Sequence, residues 1–410
     1  MTFSAGKAVR YLTLIILANL FSCTRADQED HVWLEWGELP ELPDASGFAG
    51  AFAGVSNDVL ILAGGANFPD GRPWEGHPKI WHDRIFVLAD PDGQWQLADM
   101  RLPRPLAYGV SISWNDRLLC FGGGDGEQHH ANAFALRWTG KGIEIDELPS
   151  MPQAAAFFCG ARVENEIFLA GGLRDPDASE ATHSFWSLDL QQQSPQWKSL
   201  PPWPGPPRHL SVAGVQGKAF FLFSGIELRD GQRVKPYLTD GYRFSKGSWQ
   251  PIASLPRPVA AAPDPAVALG SSHLLVLGGD GGTHSAALED AHPGFDPSIL
   301  AYHAITDTWI ESGSLPKVPG PDPAQTPNGG HWPPVTTPVV TWRGRIVVPS
   351  GEVRPGVRTP RVPFARTIEP PSPFGSLDYT VLTAYLLCLL LMGCYFARRE
   401  KGTNDFFLGG

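Results

Sequence analysis

A glycine doublet, or a close variant of it, follows an apolar run six times in this chain: Ala63-Gly64-Gly65, Phe121-Gly122-Gly123, Ala170-Gly171-Gly172, Ser224-Gly225, Leu277-Gly278-Gly279 and Ser350-Gly351. The second glycines lie 58, 49, 53, 54 and 72 residues apart. One four-stranded sheet with its turns uses about 40 to 50 residues, and a repeat near that length marks the blades of a β-propeller. Each unit reads as a strand, a polar turn such as Ser56-Asn57-Asp58 or Trp114-Asn115-Asp116, and a continuous apolar strand such as 59–62 or 274–277. The glycines are expected to let the backbone turn and pack closely near the propeller axis, where a Cβ would crowd its neighbours.

A second marker repeats independently. A Leu-Pro or Met-Pro step, often preceded by Trp, occurs at 36–43, 95–103, 148–152, 197–201, 249–256 and 309–316. Two markers in phase, six of each, predict an all-β fold, a six-bladed propeller of the kelch type. The phase carries further information. Residues 31–43 hold the Trp and Leu-Pro marker that ends a blade although no blade precedes them, and the last blade, about 335–368, lacks it. The N-terminal strand is therefore expected to complete the sixth sheet and remove a pair of exposed edges. Long segments at 67–82, 281–297 and 316–334 are expected to shape a binding mouth on the rim.

With 45 Gly, 40 Pro and 14 Trp in 410 residues, the chain is rich in turns and large apolar anchors and long enough for a sizeable all-β core. Its net charge of −10, with no dense Lys/Arg stripe, argues against a nucleic-acid partner. Lys7 and Arg10 precede a short apolar run, so residues 1–27 read as a secretory signal or N-terminal anchor. Ser22-Cys23 loosely resembles a lipoprotein cleavage site, which leaves lipidation of Cys23 open beside an ordinary signal. Residues 369–377, with Pro370, Pro371 and Pro373, read as a stiff linker to an apolar helix at 378–397. Nineteen residues of it span about 28 Å, close to the hydrocarbon thickness of a bilayer. Arg398, Arg399 and Lys401 follow, so the positive-inside rule places 398–410 in the cytoplasm and the propeller, 31–368, outside it, in the periplasm for an inner-membrane anchor. Cys120 and Cys159 read as buried free thiols, with a bridge between them open in an oxidising compartment.

Several constellations can be set aside. The run Gly122-Gly123-Gly124-Asp125-Gly126 lacks the Lys-Ser/Thr of a phosphate loop. His129-His130 and the His77/His82 pair lack the spacing of a metal site, so no metal is expected. There is no Gly-x-Ser-x-Gly elbow and no repeated Ser-x-Asp-x-Gly-x-x-Trp element. What stands out is Gly351-Glu352-Val353-Arg354-Pro355-Gly356-Val357-Arg358-Thr359. It packs one acid and two guanidiniums into a turn. The carboxylate could carry a proton and an arginine could hold an anion bidentately, while composition alone favours a surface salt bridge on a β-turn.

This segment resembles the Gly-Glu-x-Lys/Arg-Pro-Gly-x-Arg-Thr motif of the N-acetylneuraminate epimerases, or sialic acid mutarotases, a family of six-bladed kelch propellers. The resemblance extends to Gly47-Phe48-Ala49-Gly50-Ala51-Phe52-Ala53-Gly54-Val55-Ser56-Asn57-Asp58 through Gly64-Gly65-Ala66, to Ala107-Tyr108-Gly109-Val110-Ser111, and to Pro206-Pro207-Arg208. The order of these blocks is rotated, which resembles a cyclically permuted branch of the family. Leu106 departs from the family pattern, which has Arg there. The resemblance implies Glu352 as proton acceptor and Arg358 as the active-site arginine, both catalytic. It suggests Arg208, Arg354, Tyr108 and Asn67 for substrate binding. The implied reaction interconverts α- and β-N-acetylneuraminate, or a related sugar, by ring opening and closure and needs no cofactor.

Asp378-Tyr379, Arg398-Arg399-Glu400-Lys401 and Asp405-Phe406-Phe407-Leu408-Gly409-Gly410 resemble the opening of a sodium:solute symporter, which implies a truncated fusion or split gene and a transporter partner. Two other classes compete with the enzyme. One is a kelch propeller that only binds a glycan or protein at the membrane surface. The other, a copper-radical oxidase of the kelch type, needs a Tyr/His ligand set that the residues do not arrange.

Overall fold

The computed structural model describes residues 34–317, 331–368 and 375–399. Six four-stranded antiparallel sheets follow one another along the chain. The first is Phe52–Ser56, Val59–Ala63, Ile85–Leu88 and Gln96–Leu97, and blades two to five repeat the pattern from Val110, Cys159, Val212 and Val267. The sixth consists of Val340–Trp342, Arg345–Val347 and Val362–Thr367, and its outermost strand is Leu34–Leu39 from the other end of the chain. The pairing runs antiparallel from Leu34 opposite Thr367 to Leu39 opposite Val362, so the first and last strands close the ring as the marker phase required.

Both sequence markers have a contact that explains them. The indole N–H groups of Trp95, Trp197, Trp249 and Trp309 donate to the carbonyls of Pro40, Pro149, Pro201 and Ala253, at 2.8 to 2.9 Å. Each acceptor lies one or two residues past the outer strand of the preceding blade, and Pro40, Pro149 and Pro201 each belong to a Leu-Pro step, so there the Trp and the Leu-Pro step are two halves of one inter-blade clasp. The glycine doublets follow the second strand of each sheet and meet the lead-in of the next blade. A Cβ on Gly64, Gly122 or Gly171 would lie 2.4, 2.6 or 2.4 Å from the carbonyl oxygen of Leu106, Ala155 or Arg208, and all three glycines have positive φ. The doublets thus serve the seam between blades. In blades four and six Ser replaces the first glycine and its hydroxyl works in the same seam. Ser224 Oγ accepts the Val259 N–H and donates to Leu238 O, and Ser350 Oγ accepts the Phe48 N–H and donates to Thr359 O.

Around the axis the backbone forms a closed ring of six hydrogen bonds. The N–H of Tyr108 donates to Gly50 O, Phe157 to Tyr108, Leu210 to Phe157, Ala261 to Leu210, Thr336 to Ala261 and Gly50 to Thr336, each at 2.7 to 2.8 Å. All six residues have positive φ. Such backbone is costly for non-glycine residues, and here each one gains a bond to the next blade. These residues line a small axial cavity of about 70 Å³. Beside the ring, the residue after each doublet pairs across an isolated bridge with the residue before each ring member: Ala66 with Ala49, Gly124 with Ala107, Leu173 with Ala156, Ile226 with His209, Asp280 with Ala260 and Glu352 with Val335. Six equivalent positions therefore ring the axis.

The core lies between neighbouring blades, as in the cluster of Phe168, Phe185, Phe220, Phe244 and Trp249 that joins blades three and four. Cys120 and Cys159 are buried free thiols. The second unit contains the helix Ser376–Arg399. Its 18-residue window Asp378–Tyr395 is long and apolar enough to cross a membrane and is unburied by protein. The proposed signal, Cys23, residues 369–374 of the linker and the tail from 400 onward lie outside the described residues.

Candidate active site

Glu352 starts a tight hairpin, Glu352–Arg354 against Val357–Arg358, with Gly356 at φ +80° in the turn. The Gly356 N–H donates to Glu352 Oε1 at 2.8 Å, so the turn fixes the carboxylate that precedes it. The cross-strand partner of Glu352 is Arg358, and its Nη1 lies 3.2 Å from the same oxygen. The Arg358 side chain is buried, 3 % exposed, yet its Nε and Nη1 have no hydrogen-bond acceptor among the described residues. Phe68 lies under the guanidinium at 4.8 Å and the Tyr108 phenol reaches it. Burial works against this cation, but Glu352 and Tyr108 outweigh it and hold its pKa above the ordinary value. A buried cation with unused donors is a prepared anion site, because a bound carboxylate supplies the acceptors the fold leaves out.

Tyr108 belongs to the axial ring, with φ +66° and its ring stacked on Phe157 at 4.4 Å. Lys79 sits 5.3 Å above it. Arg358, Phe68, Arg72 and Trp332 wall a cavity of about 410 Å³ beside the hairpin. The structure thus brings Glu352, Arg358 and Tyr108 together.

The other three sequence candidates are engaged by protein partners, although Arg354 also lines the cavity beside the hairpin. Arg208 is fully buried, with Nη1 and Nη2 each 2.7 Å from Asp240 and further bonds to the carbonyls of Ser224 and Pro206. It braces blade four and is sealed from solvent. Arg354, 2 % exposed, donates to the carbonyl and the carboxylate of Asp290, both at 2.8 Å. It holds the blade-five insertion against the hairpin. Asn67 is buried between Gly47 O, Asp44 and His82. In each case an adjacent acceptor claims the side chain, and residue type alone does not reveal it.

Two groups were not picked out from the sequence. Asp280 occupies in blade five the position of Glu352 in blade six, a relation that aligning the doublets would have shown. Burial pushes its pKa above the ordinary range, with the Glu352 charge adding to that, while the Gly282 N–H, Arg233 and Lys235 oppose it. His292 is buried and accepts the Gly294 N–H on Nδ1 at 3.1 Å, so its neutral ring carries the proton on Nε2. Burial, then His284 and Arg354, pull its pKa down to about 4 against the field of Glu352. Among the described residues there is no group of three or more metal-ligating side chains.

Together these features define a class, a six-bladed propeller whose axial mouth pairs a carboxylate with an unsatisfied buried guanidinium. Among known proteins the chain is similar to a family described as N-acetylneuraminate epimerase, whose model matches residues 22–145. An N-acetylneuraminate epimerase of Yersinia enterocolitica (serotype O:8 / biotype 1B) is 38% identical over 131 residues, covering 28% of this chain and 32% of the relative. One from Haemophilus influenzae (strain 86-028NP) is 33% identical over 128 residues, covering 28% and 33%. The chain thus spans about a third of the length of these curated relatives. A solved structure described as "Structure of YjhT" superposes with a TM-score of 0.57 over 70% of this chain and 89% of that one, at 13% identity, which speaks for the fold alone.

Proposed function

We propose that this protein is a mutarotase of N-acetylneuraminate or a closely related keto-sugar acid. The observation that carries the reading is Arg358, a buried cation with unfilled donors 3.2 Å from Glu352. A sugar acid offers a carboxylate for the first group and, next to it, an anomeric hydroxyl for the second. Glu352 takes that proton as the ring carbon–oxygen bond breaks, and it returns the proton when the open-chain ketone recloses on its other face. Arg358 clamps the substrate carboxylate in low dielectric, where a charge-assisted bond is strongest.

The match to the epimerase family ends at residue 145, whereas the Gly-Glu motif lies at 351–359. That separation supports a cyclically permuted order, and the N-terminal closing strand supports it too, because a closed ring can be opened in any blade without changing its contacts. The apolar helix supports a membrane tether with the propeller on the extracytoplasmic side. The symporter-like tail supports delivery of the product anomer to a transporter.

The test is exchange spectroscopy by NMR on sialic acid anomers with the full chain in detergent. The wild type should accelerate exchange, and Glu352→Gln should lower kcat by about 10²- to 10⁴-fold. Saturable sugar binding with no change in exchange rate would instead identify a binding propeller. Carbonate washing of membranes tests the tether, since an integral helix keeps the chain in the pellet.

A further inference from the structure

Ring opening needs two proton transfers, and Glu352 accounts for one. The other must come from an acid that reaches the same sugar from a different direction. The six positions after the glycine doublets are the residues that the fold sets symmetrically around the axis, and they are Ala66, Gly124, Leu173, Ile226, Asp280 and Glu352. Only the last two can carry a proton, and they belong to adjacent blades. Their backbones are held alike. Asp280 N–H donates to Ala260 O at 2.7 Å and Glu352 N–H to Val335 O at 2.9 Å.

We infer that Asp280 is the acid of this site, protonating the ring oxygen while Glu352 removes the proton of the anomeric hydroxyl. The assignment rests on the mutarotase reading above. Asp280 Oδ1 accepts the Gly282 N–H at 2.8 Å, which leaves Oδ2 without a partner among the described residues. The residue walls a cavity of about 730 Å³ formed by the blade-five insertion. Beside Glu352, the unsatisfied Arg358 donors mark where an anionic ligand binds, and Asp280 lies in the adjacent blade, close enough to feel the Glu352 charge. The groups around Asp280 are Arg233 and Lys235 from the blade-four insertion, Glu352 from blade six, and Arg257, His284, His292 and Asp296, the last paired with Arg257, along the cavity wall. Burial and the negative charge of Glu352 favour the protonated acid. His292, held near a pKa of about 4, is neutral at physiological pH and cannot fill that role.

The proton balance closes. In opening, the Asp280 proton moves to the ring oxygen, the anomeric carbon–oxygen bond breaks, and the anomeric hydroxyl proton passes to Glu352 as the ketone forms. After the ketone turns over, the freed hydroxyl attacks its other face. That hydroxyl returns its proton to Asp280, and Glu352 returns its own to the new anomeric oxygen. Both residues end as they began.

The experiment compares wild type, Asp280→Asn, Asp280→Glu and Glu352→Gln in the full chain, measuring kcat and KM for anomer exchange from pH 5 to 10. Asp280→Asn is expected to lower kcat about 10²- to 10⁴-fold with little change in KM, and to abolish the alkaline limb, which reports loss of the acid's proton. Asp280→Glu should restore part of kcat and the limb. Unchanged melting temperatures would separate these effects from misfolding. An active wild type whose Asp280→Asn variant keeps both kcat and the alkaline limb overturns the role of Asp280 and leaves the mutarotase reading standing. A wild type that exchanges no sugar anomers overturns both.

Discussion

Arg208 and Arg358 are both buried arginines beside an acid, and the sequence offers no way to rank them. Their hydrogen bonds do. Arg208 is satisfied by Asp240, Ser224 O and Pro206 O, whereas Arg358 keeps two nitrogens without acceptors. The same substitution should therefore have different consequences. Arg208→Met leaves Asp240 with the Tyr242 hydroxyl but no guanidinium and is expected to cost about 3 kcal/mol in urea unfolding, at the low end for buried pairs because Asp240 is 29% exposed, with KM for the sugar unaffected. Arg358→Met is expected to raise KM about ten- to a hundredfold, the equivalent of one charge-assisted hydrogen bond, as read by anomer exchange. That Glu352 and Arg358 face one another was legible from the motif string, because one short hairpin holds both, whereas Tyr108 reaches Arg358 from the axial ring ahead of blade two. The partners of Arg208, Arg354 and Asn67 were not legible, because Asp240, Asp290 and Asp44 come from other turns of the chain.

At the level of elements, the repeating unit is a pair of clasps, one at the outer edge through Trp and one near the axis through the doublet. The doublet is not a generic turn. Gly171→Ala would place a Cβ 2.4 Å from Arg208 O on a backbone with φ +70°, and should lower stability by more than about 2 kcal/mol. Ser224→Gly keeps the permissive backbone and loses two hydrogen bonds, so about 1 to 2 kcal/mol is expected from the same denaturation measurement. A reversed order of these two effects would contradict the seam assignment. The repeat itself was fully legible. What each clasp grips was not, since the partners lie on the neighbouring blade, 48 to 56 residues away for the Trp clasps and at other separations for the doublets.

For the whole propeller, stability should depend on pH through groups buried at its centre. Asp264 Oδ1 accepts the N–H of Ala213 at 2.6 Å and Oδ2 that of Gly160 at 3.3 Å, so one side chain ahead of blade five ties the inner strands of blades three and four. Burial at the axis pushes its pKa from 3.8 up to about 8, against those two bonds. A carboxyl with a raised folded pKa contributes stability that is complete below about pH 4 and is lost as pH rises through about 8. His209 and His292 act in the opposite sense. Burial first, then nearby positive charge, lowers both to about 4, so their contribution is complete above about 6.5 and is lost as pH falls through about 4. Unfolding followed across this range should give a stability maximum between these limits. In Asp264→Asn the alkaline decline should be reduced by up to about 1.4 kcal/mol per pH unit, and an unaltered decline would assign it to another group.

By itself the sequence determined the number of blades, the closure of the ring by its first strand, the apolar helix and the hairpin that pairs Glu352 with Arg358. All of these follow from periodicity or from residues a few positions apart, and a repeat leaves both in plain view. Only the tertiary structure decided which buried arginine is satisfied and which is left with open donors, and that Asp280 and Glu352 hold equivalent positions in adjacent blades. Those outcomes depend on contacts between blades, where a ring closed by backbone hydrogen bonds brings distant residues to one centre.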